Sequence, residues 1–190
     1  MTKVYPPLDW QDFERLCLAL FRRHYRHPEA QRLGRQGQKQ FGIDIVLLTD
    51  KATSVIGIQC KCHSHGIQPT LDEISYEVAK AETFDPPLTS FSFVTTAQRD
   101  QGTQRAVLNL SKQRLQAGQF AVDVWFWDDI NEILNQYDDI ANSYYGGISA
   151  ESTRQVSKKI DDIHTAVVTD QLQGTTSSIH TEIDLVPCPG

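Results

Sequence analysis

The sequence has no long apolar segment and few cysteines. Its longest aliphatic run near the middle of the chain spans only residues 45–48, and the residues before Asp9 form no apolar signal segment. We therefore expect a cytoplasmic protein without a membrane span. The four cysteines are too few and too unevenly spaced for a disulfide framework, so we expect reduced thiols at Cys17, Cys60, Cys62 and Cys188.

Two common kinds of functional site are also poorly supported. No glycine-rich loop ends in Lys-Ser or Lys-Thr, so the sequence has no ATP-binding phosphate loop. Cys60, Cys62 and His63 have zinc-binding groups, but a single residue separates the two cysteines. Structural zinc sites usually place roughly two to four residues between such ligands and add a second ligand pair. The spacing therefore argues against zinc.

Charge is distributed unevenly along the chain. The 190 residues have a net charge of -6, with 39% hydrophobic residues, enough for one ordinary globular domain. Residues 1–70 hold ten Lys and Arg against six Asp and Glu, a balance of +4, whereas residues 71–190 hold eight against eighteen, a balance of -10. The first part is thus compatible with a polyanionic partner. The alternative is a solvated basic surface.

Apolar spacing and turn residues predict the element order αββαβαβα. Asp9 precedes a helical pattern, and Thr70 with Glu73 forms a capping box at a second helix. The other predicted segments are strands and helices separated by turn residues: strands 43–48, 54–62, 91–95 and 120–127, and helices 103–117 and 128–137, the last capped by Asp128. This order, with its initial hairpin, indicates a mixed sheet with helices on both faces.

The composition changes after Gly147. Residues 148–190 are rich in Ser, Thr, Asp and Gln, and apolar side chains recur there at helical steps, at Val156, Ile160, Ile163 and Val167. We therefore predict one domain over 1–147 and a polar amphipathic helical tail over 148–190. The tail could be an oligomerisation segment, a strap on the domain or a linker to another module; two heptads are too few to decide.

The hairpin places polar side chains on strands that should be buried. Asp44 lies on its first strand, and Gln59 and Lys61 share one face of the second. A carboxylate and a lysine are costly inside a sheet unless they are paired or bind a ligand. Together they suit phosphodiester hydrolysis, in which the carboxylate holds a divalent cation and the ammonium stabilises developing charge. The alternative is a structural Asp–Lys ion pair.

Three short motifs resemble those of a known enzyme superfamily. Phe13-Glu14 on the first helix, Gly42-Ile43-Asp44 and Ile58-Gln59-Cys60-Lys61 resemble the PD-(D/E)XK restriction-endonuclease-like superfamily, in its Mrr-like branch, over roughly residues 8–137. The resemblance implies a restriction-endonuclease-like α/β fold with an αβββαβ-type core. Three further segments, 9–14, 34–37 and 125–130, are similar to nuclease domains at the head of bacterial antiphage effectors, including CBASS-type effectors, which often join the nuclease to a sensor module.

The resemblance assigns catalytic roles by position. Asp44 would be the principal metal ligand, and Glu14 would bring a second carboxylate to the metal. Lys61 would orient the attacking water and stabilise the transition state. Gln59 stands where many relatives have Glu or Asp, so it would ligate or position through its amide oxygen, and the backbone carbonyl of Cys60 would also face the metal. The implied cofactor is Mg²⁺, with Mn²⁺ as a substitute.

Basic residues near these motifs are candidates for phosphate contacts that hold a duplex without reading its sequence: Arg32, Arg35 and Lys39, with His63 and Arg99 in addition. The alternative is that they are solubility charges. The sequence therefore predicts a metal-dependent endonuclease that acts on double-stranded DNA, regulated through self-association or through a sensor module. The competing hypothesis is a nucleic-acid-binding or assembly module that has the fold but does not cleave.

Overall fold

A computed structural model of the protein describes residues 4–34, 41–48 and 54–145. Within these residues the chain forms five helices and five strands, in the order α1 (Trp10–His24), β1 (Gln31–Arg32), β2 (Ile45–Leu48), β3 (Val55–Lys61), α2 (Leu71–Ala81), β4 (Ser90–Thr95), α3 (Gln101–Gln116), β5 (Ala121–Trp125), α4 (Trp127–Leu134) and α5 (Asp138–Tyr145). None of the helices in these ranges is long and apolar enough to cross a membrane. The predicted boundary near Gly147 and the tail lie outside the described residues.

The strands form one mixed sheet in the order β1-β2-β3-β4-β5. The first three strands pair antiparallel, and β3, β4 and β5 pair parallel. Ile45 lies opposite Ile58, and the backbone N–H of Asp44 donates to the carbonyl of Ile58 at 2.8 Å, which continues the ladder by one residue. The predicted hairpin is confirmed, and its register brings Asp44 level with Gln59.

Apolar side chains cover both faces of this sheet. On one face, α1, α4 and α5 pack against the sheet in a cluster that contains Phe13, Leu16, Leu20, Ile45, Ile58, Val94 and Ile130. On the other, α2 and α3 pack in a second cluster that contains Ile43, Ile74, Val78, Phe91, Phe93 and Val107. The predicted α/β architecture is confirmed, and the αβββαβ-type core corresponds to the segment from α1 to β4.

The element order from apolar spacing was incomplete at two places. It omitted β1, which has two residues and therefore offers no alternation pattern. It also predicted one last helix capped by Asp128, whereas α4 begins after Phe126 and ends at Leu134, and α5 follows as a separate helix. The Asp128 carboxylate instead accepts a hydrogen bond from the backbone N–H of Arg99 at 2.7 Å. This tertiary contact has no local sequence signal.

A glycine lets α2 approach the start of β2 closely. Gly42 has φ +69°, a conformation that favours glycine. A Cβ atom at this position would lie 2.9 Å from the backbone oxygen of Glu77, 3.0 Å from its Oε2 and 3.2 Å from Cβ of Lys80. Glycine is therefore required here for two reasons, the backbone conformation and the contact with α2.

Replacing Gly42 by alanine should destabilise the fold more than the same change at Gly66. Gly66 also has a positive φ, at +79°, but no heavy atom lies within 4 Å of the position that a Cβ would take there. Gly66→Ala should therefore cost only the backbone term, about 1 kcal/mol, and Gly42→Ala about 2–4 kcal/mol. Urea unfolding of both variants measures the difference. Equal costs would mean that α2 moves away from Gly42 without penalty.

Candidate functional site

A buried carboxylate lies at the beginning of the hairpin. Asp44 is 5% exposed, and its Oδ2 accepts hydrogen bonds from Nε2 of Gln59 at 2.5 Å and from the backbone N–H of Cys60 at 2.8 Å. Burial raises the pKa of Asp44 to about 6, and the charges of Glu14 and Glu77 add to this shift. The hydrogen bond from Cys60 and the charge of Lys61 lower the pKa, but they only partly offset the effect of burial.

A second carboxylate reaches the same region from α1. Glu14 is buried, and its Oε2 accepts a hydrogen bond at 2.6 Å from Nη2 of Arg32 in β1. Burial raises the pKa of Glu14, although the contact with Arg32 lowers it in part. Because the charge of Glu14 acts on Asp44, α1 and the hairpin together place two carboxylates in one electrostatic environment.

Lys61 is the last residue of β3, and its ammonium group is held from α2. Nζ of Lys61 lies 2.7 Å from Oε1 of Glu77, and Nζ of Lys80 lies 2.6 Å from Oε2 of the same residue. Burial by itself would raise the pKa of Glu77, but hydrogen bonds from the two lysines outweigh it and hold the pKa below its ordinary value. Glu77 is therefore an ionised, buried carboxylate between two ammonium groups.

Gln59 faces Asp44 through its amide nitrogen. Nε2 donates to Asp44 and lies 3.3 Å from the backbone carbonyl of Cys60. The sequence analysis expected the amide oxygen of Gln59 to serve as a ligand, and a half-turn about the Cγ–Cδ bond would exchange the two amide atoms. In the arrangement observed, Gln59 acts as a hydrogen-bond donor that stabilises the Asp44 carboxylate.

The basic residues fall into different environments. Arg32 contacts Glu14, as described above. Arg99 is paired with Asp129 and, at 3.0 Å, with Glu132. Of the predicted phosphate contacts that the structure describes, Arg32 is the one placed beside the carboxylates, and Arg99 is held by acidic residues of α4. Arg35 and Lys39 lie outside the described residues.

His63 belongs to an internal network. Its Nδ1 lies 2.7 Å from Oγ1 of Thr95, and its Nε2 lies 3.0 Å from Oε2 of Glu73. The backbone N–H of His63 also donates to Oγ1 of Thr96 at 2.7 Å. Both ring nitrogens thus have partners, and the ring links β3 to β4 and α2. A phosphate contact by this residue would require these bonds to open.

Sequence reasoning missed Glu77. The apolar residues Ile74, Val78 and Ala81 define the buried face of α2, and Glu77 lies between them on that same face at helical spacing. A glutamate at a core-facing helix position needs a cationic partner, so the pattern did contain a signal. It could not identify Lys61 as the partner, because that contact depends on how α2 packs on the sheet.

The oxygen donors at the site suit a hard divalent cation. The carboxylates of Asp44 and Glu14 and the carbonyl of Cys60 are the kind of ligands that Mg²⁺ prefers. The described residues contain no group of three or more His, Cys, Asp or Glu side chains arranged to hold a metal ion. Mg²⁺ is usually bound through one or two carboxylates together with water and substrate phosphates, so this donor set fits it.

Replacing Asp44 by asparagine should stabilise the metal-free protein. The folded-state pKa of Asp44, about 6, lies above the ordinary value of 3.8. The free-energy cost of burying the ionised carboxylate is therefore absent below pH 3.8, increases between pH 3.8 and 6 and is complete above pH 6. We expect Asp44→Asn to raise the unfolding free energy by about 1–3 kcal/mol at pH 7.5 and by much less at pH 4.5. Urea titrations at both values test this, and a variant equally or less stable at pH 7.5 contradicts it.

One comparison with known proteins, that with protein families, agrees with the sequence motifs. Residues 7–96, a little under half of the chain, match the family model of the Mrr catalytic domain, described as a restriction endonuclease. A comparison with curated proteins finds no match. Among solved structures, the chain is similar to the MspJI restriction endonuclease in complex with a 27-mer oligonucleotide, with a TM-score of 0.46 and 17% identity. That similarity covers 72% of this chain and 29% of the other.

The matched residues run from just before α1 to just after β4. Glu14, Asp44, Gln59 and Lys61 all lie within the matched range, and their catalytic roles stay a prediction. Residues 7–96 therefore match a restriction-endonuclease catalytic domain of the Mrr family, which supports the resemblance to the Mrr-like branch of the PD-(D/E)XK superfamily.

Proposed function

We propose that the protein is a metal-dependent endonuclease that hydrolyses phosphodiester bonds in double-stranded DNA and uses Mg²⁺. One observation supports this most directly: Asp44 is a buried carboxylate, and the charges of Glu14 from α1 and of Lys61 from β3 both act on it. The restriction-endonuclease family match over residues 7–96 supports a nuclease that acts on DNA. The perturbed pKa of Asp44 also favours a functional site over a passive ion pair.

Each group in the site has a role in this proposal. Asp44, Glu14 and the carbonyl of Cys60 would hold the divalent cation, which supplies Lewis-acid activation of the phosphate and of a water molecule. The ammonium group of Lys61 would donate hydrogen bonds to phosphate oxygens and stabilise the charge that develops during water attack. Gln59 keeps the Asp44 carboxylate oriented through its amide nitrogen.

Arg32 is suited to guide the DNA backbone to this site. Its guanidinium is bonded to Glu14 through one nitrogen, and its side chain is partly exposed. A guanidinium has five donors, so it has the capacity to contact a phosphate while it remains paired. This arrangement would place a phosphate contact next to the carboxylates without reading base sequence.

A second candidate function is a DNA-binding or assembly module that does not cleave. The observation that favours it is that each charged group of the site has a partner within the protein: Asp44 has Gln59 and Cys60, Glu14 has Arg32, and Lys61 has Glu77. Such a network also occurs in a purely structural polar cluster. Catalysis would require Asp44 and Glu14 to exchange part of these bonds for a cation.

The cellular role follows from the nuclease proposal. We propose that the protein acts in the cytoplasm, where free cysteines such as the exposed Cys62 remain reduced. Its role there would be that of the effector nuclease of a bacterial antiphage defence system. An unregulated nuclease would damage its host, so self-association or a sensor module would control it. The similarity of segments 9–14 and 125–130 to antiphage nuclease domains supports this role. A rate of cleavage that rises more than linearly with protein concentration would indicate self-association.

Cleavage of supercoiled plasmid tests the nuclease. Wild-type protein should nick or linearise the DNA with Mg²⁺ or Mn²⁺ and lose this activity in EDTA. Lys61→Ala should lower the rate by about 10²-fold or more, because it removes charge stabilisation in the transition state. Lys112→Ala, at an exposed position on α3, is the matched control and should cleave like the wild type.

The same experiment separates the two candidate functions. Undiminished cleavage by Lys61→Ala would remove this lysine from the mechanism. Protein that binds DNA with a clear salt dependence, but never nicks it with either metal, would favour the binding module.

A further inference from the structure

Glu77 pairs with Lys61 and lies close to the backbone that precedes Asp44. Its Oε1 lies 2.7 Å from Nζ of Lys61, and its Oε2 lies 2.6 Å from Nζ of Lys80. Its Oε2 also lies 3.0 Å from the Cβ position that Gly42 leaves empty, two residues before Asp44. One buried side chain of α2 thus lies close to the backbone at Gly42 and pairs with the side chain of Lys61.

This contact matters because a lysine side chain is intrinsically flexible. Its side chain is 32% exposed, and a lysine has a four-carbon stem whose rotamer freedom is costly to restrict. Without a partner at the end of β3, the ammonium group would sample solvent. Glu77 is 4% exposed and is fixed in place by the packing of α2, so it offers a rigid acceptor.

Lys80 completes the arrangement. A single Glu–Lys pair would be neutral, whereas Glu77 with two lysines has a net charge of +1. Lys80 therefore occupies the second carboxylate oxygen and leaves the cluster attractive to a phosphate. It also keeps Glu77 ionised, in agreement with the lowered pKa of that carboxylate.

We propose that Glu77 is a positioning residue of the nuclease: it fixes the ammonium group of Lys61 relative to Asp44, and Lys80 anchors Glu77. This inference rests on the proposed function, since it assigns a task to Lys61 in cleavage. Glu77 itself need not touch DNA or metal. Its effect passes through the position of one nitrogen atom, which is why loss of the carboxylate should reduce the rate of reaction more than the affinity for DNA.

The first test is single-turnover cleavage of a DNA duplex by Glu77→Gln, a variant that keeps the size of the side chain and removes its charge. We expect the rate constant at saturating protein to fall about 10–100-fold, because small misplacement of a catalytic group has effects of this size. The dissociation constant for DNA should change less than about threefold. Asp72→Asn, an exposed change in the first turn of α2, is the matched control and should leave both values unchanged.

The second test does not depend on activity. Acetic anhydride labels accessible lysine amines, and mass spectrometry of peptides gives the rate at each site. Lys61 should react more slowly than the exposed Lys112 in wild type, and several-fold faster in Glu77→Gln than in wild type. Equal rates at Lys61 in wild type and Glu77→Gln would overturn the proposal, because Glu77 would not then hold that ammonium group.

The outcomes separate the two proposals. Cleavage that requires Lys61 but proceeds at the wild-type rate in Glu77→Gln overturns the positioning role and leaves the nuclease intact. Absence of cleavage by wild type overturns the nuclease and the positioning role with it.

Thermal unfolding shows whether Glu77→Gln folds. If it does not fold, Glu77→Asp is the variant that tests the positioning role. That variant keeps the charge but is one methylene shorter, so its rate should fall below wild type, and an unchanged rate overturns the proposal.

Discussion

The arrangement of the site depends on how the carboxylate of Asp44 is held at the start of β2. Its backbone N–H continues the hairpin ladder to Ile58, and its side chain returns to the same strand to accept hydrogen bonds from Gln59 and Cys60. These contacts bring a buried charge next to β3 and fix the register between the two strands. A shift of one residue would turn Asp44 toward the opposite face and separate it from Gln59 and Lys61.

Around this carboxylate, ion pairs join residues of different helices and strands. Arg32 of β1 faces Glu14 of α1, and Lys61 of β3 faces Glu77 of α2. Each pair limits the cost of burying a carboxylate, yet the pKa of Asp44 remains raised because burial outweighs the hydrogen bond from Cys60 and the charge of Lys61. The site therefore combines two stabilised ion pairs with one carboxylate that is poorly satisfied. A divalent cation that binds Asp44 would offset the cost of burying its charge.

Local sequence patterns predicted the elements well where a single segment contains the signal. The capping box of α2 is present, with the Thr70 hydroxyl accepting from the backbone N–H of Glu73 at 3.1 Å. The alternation along β3 correctly separated Gln59 from the core residue Ile58 on opposite faces. The prediction failed at α4, where Asp128 resembles a cap but bonds to Arg99 across 29 positions. The same reason explains why charge alone could not show that His63 and Arg99 have internal partners.

Apolar periodicity and strand alternation act over a few neighbouring residues, so they predicted the mixed α/β order, and short local motifs supported the family resemblance that pointed to the site residues. Which charged groups meet depends instead on the tertiary packing. Glu77 follows Lys61 by 16 positions, and Arg32 follows Glu14 by 18, separations that no helix or strand repeat encodes. The physical reason is that an ion pair is set by the packing of α1 and α2 on opposite faces of the sheet. That packing minimises exposed apolar area over the whole domain, and the polar side chains find their partners within the positions it allows.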